Sequence, residues 1–282
     1  MSMTARALAC LGPHGFHRLH YWEWPGPPGA PTLLCVHGLT RNGRDFDDLA
    51  KALSSRYRVV CPDMPGRGQS DWLSDPKDYG YPVYLADIAA LIARLDVEAV
   101  DWVGTSMGGL IGMLLASQKG APIRRLVIND IGPLIAKEGL ARIGSYVGQD
   151  PDFGDLAELE ATLRRVAQSF GPLSDAEWRH LATHSAREKP NGRLGFAYDP
   201  HIGDPFRAAP PNDIDLWAAY DALTCPTLVI RGADSDLLRR ADAEAMTRRG
   251  PKARLVEFPG IGHAPALMAV DQIAAIRDFL SG

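Results

Sequence analysis

The chain has 282 residues, 46% of them hydrophobic and 23% charged, which suits one large α/β domain or a core domain carrying an insertion. Its net charge is −4, and the basic pairs Arg124-Arg125, Arg239-Arg240 and Arg248-Arg249 are scattered, which argues against a nucleic-acid footprint. No 18-residue apolar run suggests a membrane span, and the stretch from Met1 to Gly15 makes a poor signal peptide. Cys10, Cys35, Cys61 and Cys225 form no Cys-x-x-Cys pair and read as free thiols of a reducing compartment, so a cytoplasmic location is the default expectation.

In chain order, the alternation from His17 to Trp24 predicts an antiparallel edge hairpin, and Pro25 to Pro31 after it is a turn rich in Pro and Gly. Thr32 to Val36 is a buried strand, Asp45 to Leu53 a helix, and Tyr57 to Cys61 a strand. Tyr84 to Leu95 is a helix with Leu85, Ile88, Ala89, Ile92 and Leu95 spaced for burial. Ala99 to Val103 is a strand, Met107 to Ala116 a very apolar helix, and Arg125 to Asn129 a strand. Strands at Thr227 to Arg231 and Ala253 to Phe258 resume the pattern. Strands alternating with helices predict an α/β fold, a mostly parallel, doubly wound sheet covered on both faces. Between its two halves lies a stretch of helical pattern without core-like strand runs. The expected organisation is therefore a core of residues 1–130 and 213–282 with a helical cap at 131–212; Asp213 to Ala222 is expected to return to the core as a helix.

Gly104-Thr105-Ser106-Met107-Gly108 fits Gly-x-Ser-x-Gly. With 28 Gly and 13 Ser in the chain, chance alone yields about 0.1 such matches, so the five residues alone are weak evidence. Their setting is stronger, because a strand precedes them and a helix follows, as a nucleophile elbow requires. Such a turn strains the serine backbone, and its flanking glycines let the chain pass close to itself. The helix N-terminus then brings free N–H groups and a positive dipole end beside the hydroxyl.

A serine nucleophile needs a base, and an acid to orient that base. His263, in Gly260-Ile261-Gly262-His263, follows the last strand and is the expected base. Asp236 is the preferred acid, because Leu237 and Leu238 after it would anchor the loop and turn that carboxylate inward; Asp234 and Asp130 are the alternatives. The expected oxyanion donors are the backbone N–H groups of Met107 and Leu39, with Gly38 letting the chain turn inward. His37 is expected to brace its loop.

These motifs, together with Asp63-Met64-Pro65-Gly66-Arg67-Gly68-Gln69-Ser70, resemble the α/β-hydrolase superfamily, close to its cap-bearing, esterase-like members. The resemblance implies a serine hydrolase with a catalytic triad and no cofactor or metal, acting on a small-molecule substrate, most simply a carboxylic ester. It also implies that the Asp-x-Pro-Gly-x-Gly-x-Ser turn is mainly structural. Many relatives carry the acid three residues after the glycine of its strand; that position here is Ser235. Carbon–carbon bond or lactone hydrolysis on the same triad, and a ligand receptor with slow turnover, are the alternative functions. His14, His17 and His20 recur every three residues, but glycine and proline beside them argue against a helical metal site. His180 and His184 lie four apart on an expected cap helix. The aromatic residues Tyr146, Phe153, Phe170, Trp178, Phe196 and Tyr198 are read mostly as cap core, and Phe196 to Phe206 as a segment facing the site.

Overall fold

The computed structural model describes residues 2–208 and 211–282. The chain opens with β1 (Thr4–Gly12), β2 (Gly15–Trp24), β3 (Thr32–Val36), α1 (Asp47–Leu53) and β4 (Arg58–Pro62). It continues through α2 (Tyr81–Leu95), β5 (Val100–Thr105), α3 (Met107–Ala116) and β6 (Ile123–Asn129). The inserted stretch contributes β7 (Leu134–Ile135), α4 (Lys137–Gly144), α5 (Leu156–Val166), α6 (Asp175–Ser185), β8 (Ala186–Glu188), β9 (Leu194–Phe196) and α7 (Asp204–Ala208). Then follow β10 (Ile214–Asp215), α8 (Trp217–Asp221), β11 (Thr227–Gly232), α9 (Arg240–Met246), β12 (Arg254–Phe258) and α10 (Val270–Ser281).

Eight strands form one sheet in the order β1-β2-β4-β3-β5-β6-β11-β12. The hairpin β1–β2 joins antiparallel to β4, and every later pairing is parallel. Residues Thr32 to Val36 of β3 are all buried, which explains their unbroken apolar run: a strand covered on both faces has no polar side. Alternate residues feed two layers. Trp102 of β5 packs with Ile88 and Leu91 of α2 and Ile111 of α3; Val103 joins Leu49 of α1 and Ile276 of α10 on the other face. The parallel β-α-β connections bring the carboxyl ends of β3, β5, β6, β11 and β12 to one edge, where ligand sites of such sheets lie.

Two expectations change here. Helix α2 begins at Tyr81 rather than Tyr84, because Pro82 sits in its first turn, where no N–H is needed. The expected helix from Asp213 to Ala222 is two elements, the short β10 and then α8. Residues of β10 pair with β7, so the two ends of the insertion are stitched together at its neck. The insertion also holds a three-residue ribbon of β8 with β9, too short to leave an alternation in the sequence. Residues 209 and 210 of the expected 131–212 segment lie outside the described residues.

In the inserted stretch Phe153, Leu159, Leu163, Trp178 and Leu181 form a second cluster, with Phe170 and Phe196 packed against it, and Met268 from the loop after β12 completes it. The stretch is tied to the sheet edge by polar contacts. Arg41 donates to Ser185 Oγ at 2.8 Å, Asn42 Nδ2 to the His184 carbonyl at 2.8 Å, and His180 Nε2 lies 3.0 Å from the Arg44 carbonyl.

The sheet edge depends on backbone contacts that only glycine allows. A Cβ on Gly108 would lie 1.9 Å from the Val36 carbonyl oxygen, and one on Gly104 would lie 2.2 Å from that of Gly108. The atoms in the way are backbone and cannot swing aside. Gly108→Ala should therefore cost at least about 3 kcal/mol and lower the melting temperature by at least roughly 5 °C, or abolish soluble expression. A thermal melt indistinguishable from wild type would contradict this packing.

Candidate active site

Ser106 stands between β5 and α3 with φ 51° and ψ −113°, a conformation that side-chain-bearing residues rarely adopt. The strain lifts its hydroxyl out of the sheet edge at the amino end of α3. His263 reaches the same point from the loop after β12, its Nε2 3.0 Å from Ser106 Oγ. Its other ring nitrogen, Nδ1, is 2.8 Å from Oδ2 of Asp130. The histidine thus bridges a hydroxyl and a fully buried carboxylate.

Asp130 is the residue directly after β6. Its φ of 57° turns the chain into the left-handed region, which aspartate tolerates better than most residues. Oδ1 accepts from the Gly232 amide at 2.8 Å, and Oδ2 also accepts from Ser235 Oγ at 2.7 Å. The preferred candidate Asp236 is not part of this cluster. It is exposed and pairs with Arg142, its Oδ2 2.5 Å from Nε. Asp234 is exposed as well, its backbone amide bonded to the Ile261 carbonyl.

The reason lies in the anchor that was expected to favour Asp236. Leu237 and Leu238 are buried, but their amides are drawn to Ser235 Oγ at 3.3 and 3.1 Å. That draws Ser235 inward and leaves Asp236 on the outside of the turn. The loop position three residues after Gly232 does face the Asp130 carboxylate, with a hydroxyl in place of a second carboxylate.

The histidine loop is held by its neighbours. Asn129 Nδ2 donates to Thr105 Oγ1 at 3.0 Å and to the Pro265 carbonyl at 2.9 Å, joining the β5 and β6 ends to it. Ser169 of the insertion donates to the His263 carbonyl at 2.6 Å and accepts the Gly262 amide on its own carbonyl at 2.8 Å. A side chain on Gly232 would strike the Ile261 and Gly262 carbonyls at 2.4 Å, so this glycine lets the two loops touch.

Leu39 and Met107 both border the Ser106 cavity. Among the described residues neither backbone amide has a hydrogen-bond partner, as donors kept for a ligand oxygen would be. His37 is fully buried. Its Nδ1 donates to the Gly38 carbonyl at 2.7 Å, and its Nε2 accepts the Met64 amide at 2.9 Å. Each nitrogen has one role, so the ring is neutral, and burial lowers its pKa to about 4. His37 thereby ties the β3 exit loop to the turn after β4, as a brace does.

In that turn the buried Asp63 accepts from the Gly43 and Gln69 amides at 2.7 and 3.0 Å, and its Oδ2 is 3.2 Å from His20 Nδ1. Gly68, at φ 55°, passes so near the carboxylate that a Cβ would lie 2.4 Å away. The motif from Asp63 to Ser70 is a packed brace. His14, His17 and His20 lie on or beside β2 and separate onto Asp78, Asp87 and Asp63. Cys10, His17 and Asp87 form one group with metal-ligand spacing, and Asp47, His180 and His184 another. In the second, Arg44 already sits 2.5 Å from Asp47 and, with burial, lowers the His184 pKa to about 4.

Beside Ser106 opens a cavity of about 450 Å³, with Leu110, Ile131, Ile135, Leu140, Ile143 and Ile202 among its walls. Its aromatic walls are Tyr79, Tyr81, Tyr84 and Phe206, whereas Phe153, Phe170, Trp178 and Phe196 pack around Leu159 and Leu163 instead. Of the segment from Phe196 to Phe206, the apolar Ile202, Pro205 and Phe206 face the cavity. Its Asp199 turns away, accepting from Tyr79 Oη at 2.6 Å and from the His201 amide at 3.0 Å.

The sequence model of the Alpha/beta hydrolase family matches residues 33–276. The chain belongs to this family. It is 46% identical to the 3-hydroxybutyrate-oligomer hydrolase of Cupriavidus necator, over 98% of this chain and 97% of that protein. The 2-(acetamidomethylene)succinate hydrolase of Mesorhizobium japonicum is 29% identical over 83% of this chain and 81% of its own. An alpha/beta hydrolase crystal structure from Novosphingobium aromaticivorans superposes with a TM-score of 0.88 at 40% identity, covering 99% of this chain and 98% of that one. The family member described here has the α/β-hydrolase fold and is a hydrolase. Among its described residues no helix is long and apolar enough to cross a membrane.

Two of the site's histidines set a pH dependence of folding. His37 and His184 have pKa values of about 4, below their ordinary 6.5, so each is neutral in the folded chain while the unfolded chain takes up a proton first. Their stabilisation is whole above pH 6.5 and is lost as pH falls from there towards 4. Melting temperature should fall through that window, and His37→Gln should flatten the slope while lowering stability at pH 7.5. An unchanged slope in the variant would contradict the neutral, buried ring.

Proposed function

We propose that this hydrolase cleaves short-chain esters of hydroxy acids, oligomers of 3-hydroxybutyrate first among them, through an acyl-enzyme on Ser106. The observation that carries the mechanism is His263, with one ring nitrogen on Ser106 Oγ at 3.0 Å and the other on Asp130 at 2.8 Å. The substrate class is carried by the 46% identity to the Cupriavidus necator enzyme across nearly the whole of both chains. The cavity is consistent with it: aliphatic and aromatic walls beside the hydroxyl suit methyl-bearing chain units joined by uncharged ester links.

In this reading Asp130 holds the Nδ1–H tautomer, leaving Nε2 free to take the Ser106 proton as Oγ attacks the ester carbonyl. The developing oxyanion is met by the N–H groups of Leu39 and Met107 at the positive end of α3. His263 returns the proton to the leaving hydroxyl, and a water activated by the same ring releases the acyl group. Residues 131–212, with the β7–β10 pair at their neck, act as the cap that walls the cavity and fixes acyl length.

Ser106→Ala and Asp130→Asn should each lower kcat for release of 3-hydroxybutyrate from its dimer and trimer by at least about 10³-fold. Asp236→Asn should stay within about twofold of wild type, because an exposed ion pair contributes little. The assay should include lactones and p-nitrophenyl esters of graded length. Full activity in Ser106→Ala would defeat the mechanism; faster turnover of lactones than of any linear ester would defeat the substrate assignment.

A further inference from the structure

Arg67 is fully buried, yet among the described residues it makes no ion pair. Its donors reach only uncharged acceptors. Nε bonds the Leu39 carbonyl at 2.8 Å, and Nη1 bonds the Pro65 carbonyl at 2.6 Å and Tyr84 Oη at 2.8 Å. Nη2 points at Met107 Sδ, 3.6 Å away. The guanidinium also lies 5.7 and 5.2 Å from the ring centres of Tyr79 and Tyr84. The buried carboxylate of Asp199 does not pair with it, being engaged by Tyr79 and His201.

A dry cation without a counter-ion is costly, and the fold gains little from one that a neutral side chain could replace. Its contacts show what is specific about this one. It touches Leu39 and Met107, whose amides have no partner among the described residues, and Tyr84, one of the tyrosines that wall the same cavity. The bond to the Leu39 carbonyl clamps the peptide that follows Leu39 and so fixes the direction of that loop. The contact with Met107 Sδ presses on the first residue of α3. Both are set by one rigid planar fork, which a flexible lysine cannot reproduce.

We propose that Arg67 is a positioning residue of the oxyanion pocket: its guanidinium aligns the Leu39 and Met107 amides, and its unneutralised charge favours the anion formed on the ester oxygen. The inference rests on the serine-ester reading above. The brace from Asp63 to Ser70 then has a second role, holding a positive charge behind the reacting carbonyl in a site screened from water. Ground-state ester carries no charge at that oxygen, so the contribution appears in kcat more than in KM.

The test compares Arg67→Met and Arg67→Lys with wild type on the 3-hydroxybutyrate dimer. It reads kcat, KM, melting temperature and the affinity of a boronic acid that mimics the tetrahedral adduct. Arg67→Met should lose about 10²-fold in kcat, with KM changed less than about threefold and boronate affinity falling in step with kcat. Arg67→Lys, which keeps the charge but not the fork, should recover about tenfold of that loss. Should Arg67→Met fail to fold, the lysine variant decides: a near-wild-type melt with kcat and boronate affinity both reduced supports the proposal. Wild-type kcat in either folded variant overturns it, as does a loss of kcat without a loss of boronate affinity. Ser106→Ala separates the two layers. If it stays active, the serine reading falls; if it is inactive and Arg67→Met is not, only the role of Arg67 falls.

Discussion

Three stretches of backbone meet at the carboxyl edge of the sheet with no room for a side chain between them. Gly108 lies against the Val36 and His37 carbonyls, and Gly104 against Gly108 and Gly109. This contact lets β5 turn into α3 within one residue, and it forces Ser106 into its positive φ. The same contact brings the β3 exit loop, with Gly38 and Leu39, beside the hydroxyl: a Cβ on Gly38 would lie 3.8 Å from that of Ser106. The place of the Ser106 hydroxyl, of the Leu39 amide and of the cavity mouth follows from one close approach.

The charge arrangement follows from neighbouring strands rather than neighbouring residues. Strands β5, β6 and β11 lie side by side, so the residues at their ends, Ser106, Asp130 and Ser235, reach a common point. Either β6 or β11 can deliver a carboxylate to a histidine arriving from the loop after β12. In this chain β6 delivers it, and β11 supplies the Ser235 hydroxyl and the Gly232 amide that hold it. The arrangement keeps a fully buried carboxylate supplied with hydrogen bonds on both oxygens, which a charge without water requires.

Most of the core was legible because its signals are strong. Strand β3 and helix α3 have the bounds that their apolar runs indicate, and the Gly-x-Ser-x-Gly turn lies between a strand and a helix as its setting requires. Which aspartate meets the histidine was not legible as a preference. Asp130 and Asp236 both follow strands, and what separates them is the rotation of a four-residue loop, set by hydrogen bonds from Leu237 and Leu238 to Ser235. The cavity wall was missed for another reason. Tyr79 precedes α2, and Tyr81 and Tyr84 lie in its first turn; none of them belongs to a motif, and only the topology places them beside Ser106. The polar groups from Asp199 to Asp204 signalled a site in the sequence, yet Asp199 is engaged by Tyr79 and His201 and Asp204 by Arg207, which leaves the apolar Ile202 and Phe206 to face the cavity.

The role proposed for Asp130 is to orient the His263 ring. Proton NMR of the enzyme in water reads this through the far-downfield resonance of an imidazole Nδ1–H held by a carboxylate. Such a resonance is expected in the wild-type protein, should persist in Asp236→Asn and should be lost in Asp130→Asn. A resonance that survives Asp130→Asn and vanishes in Asp236→Asn would contradict it.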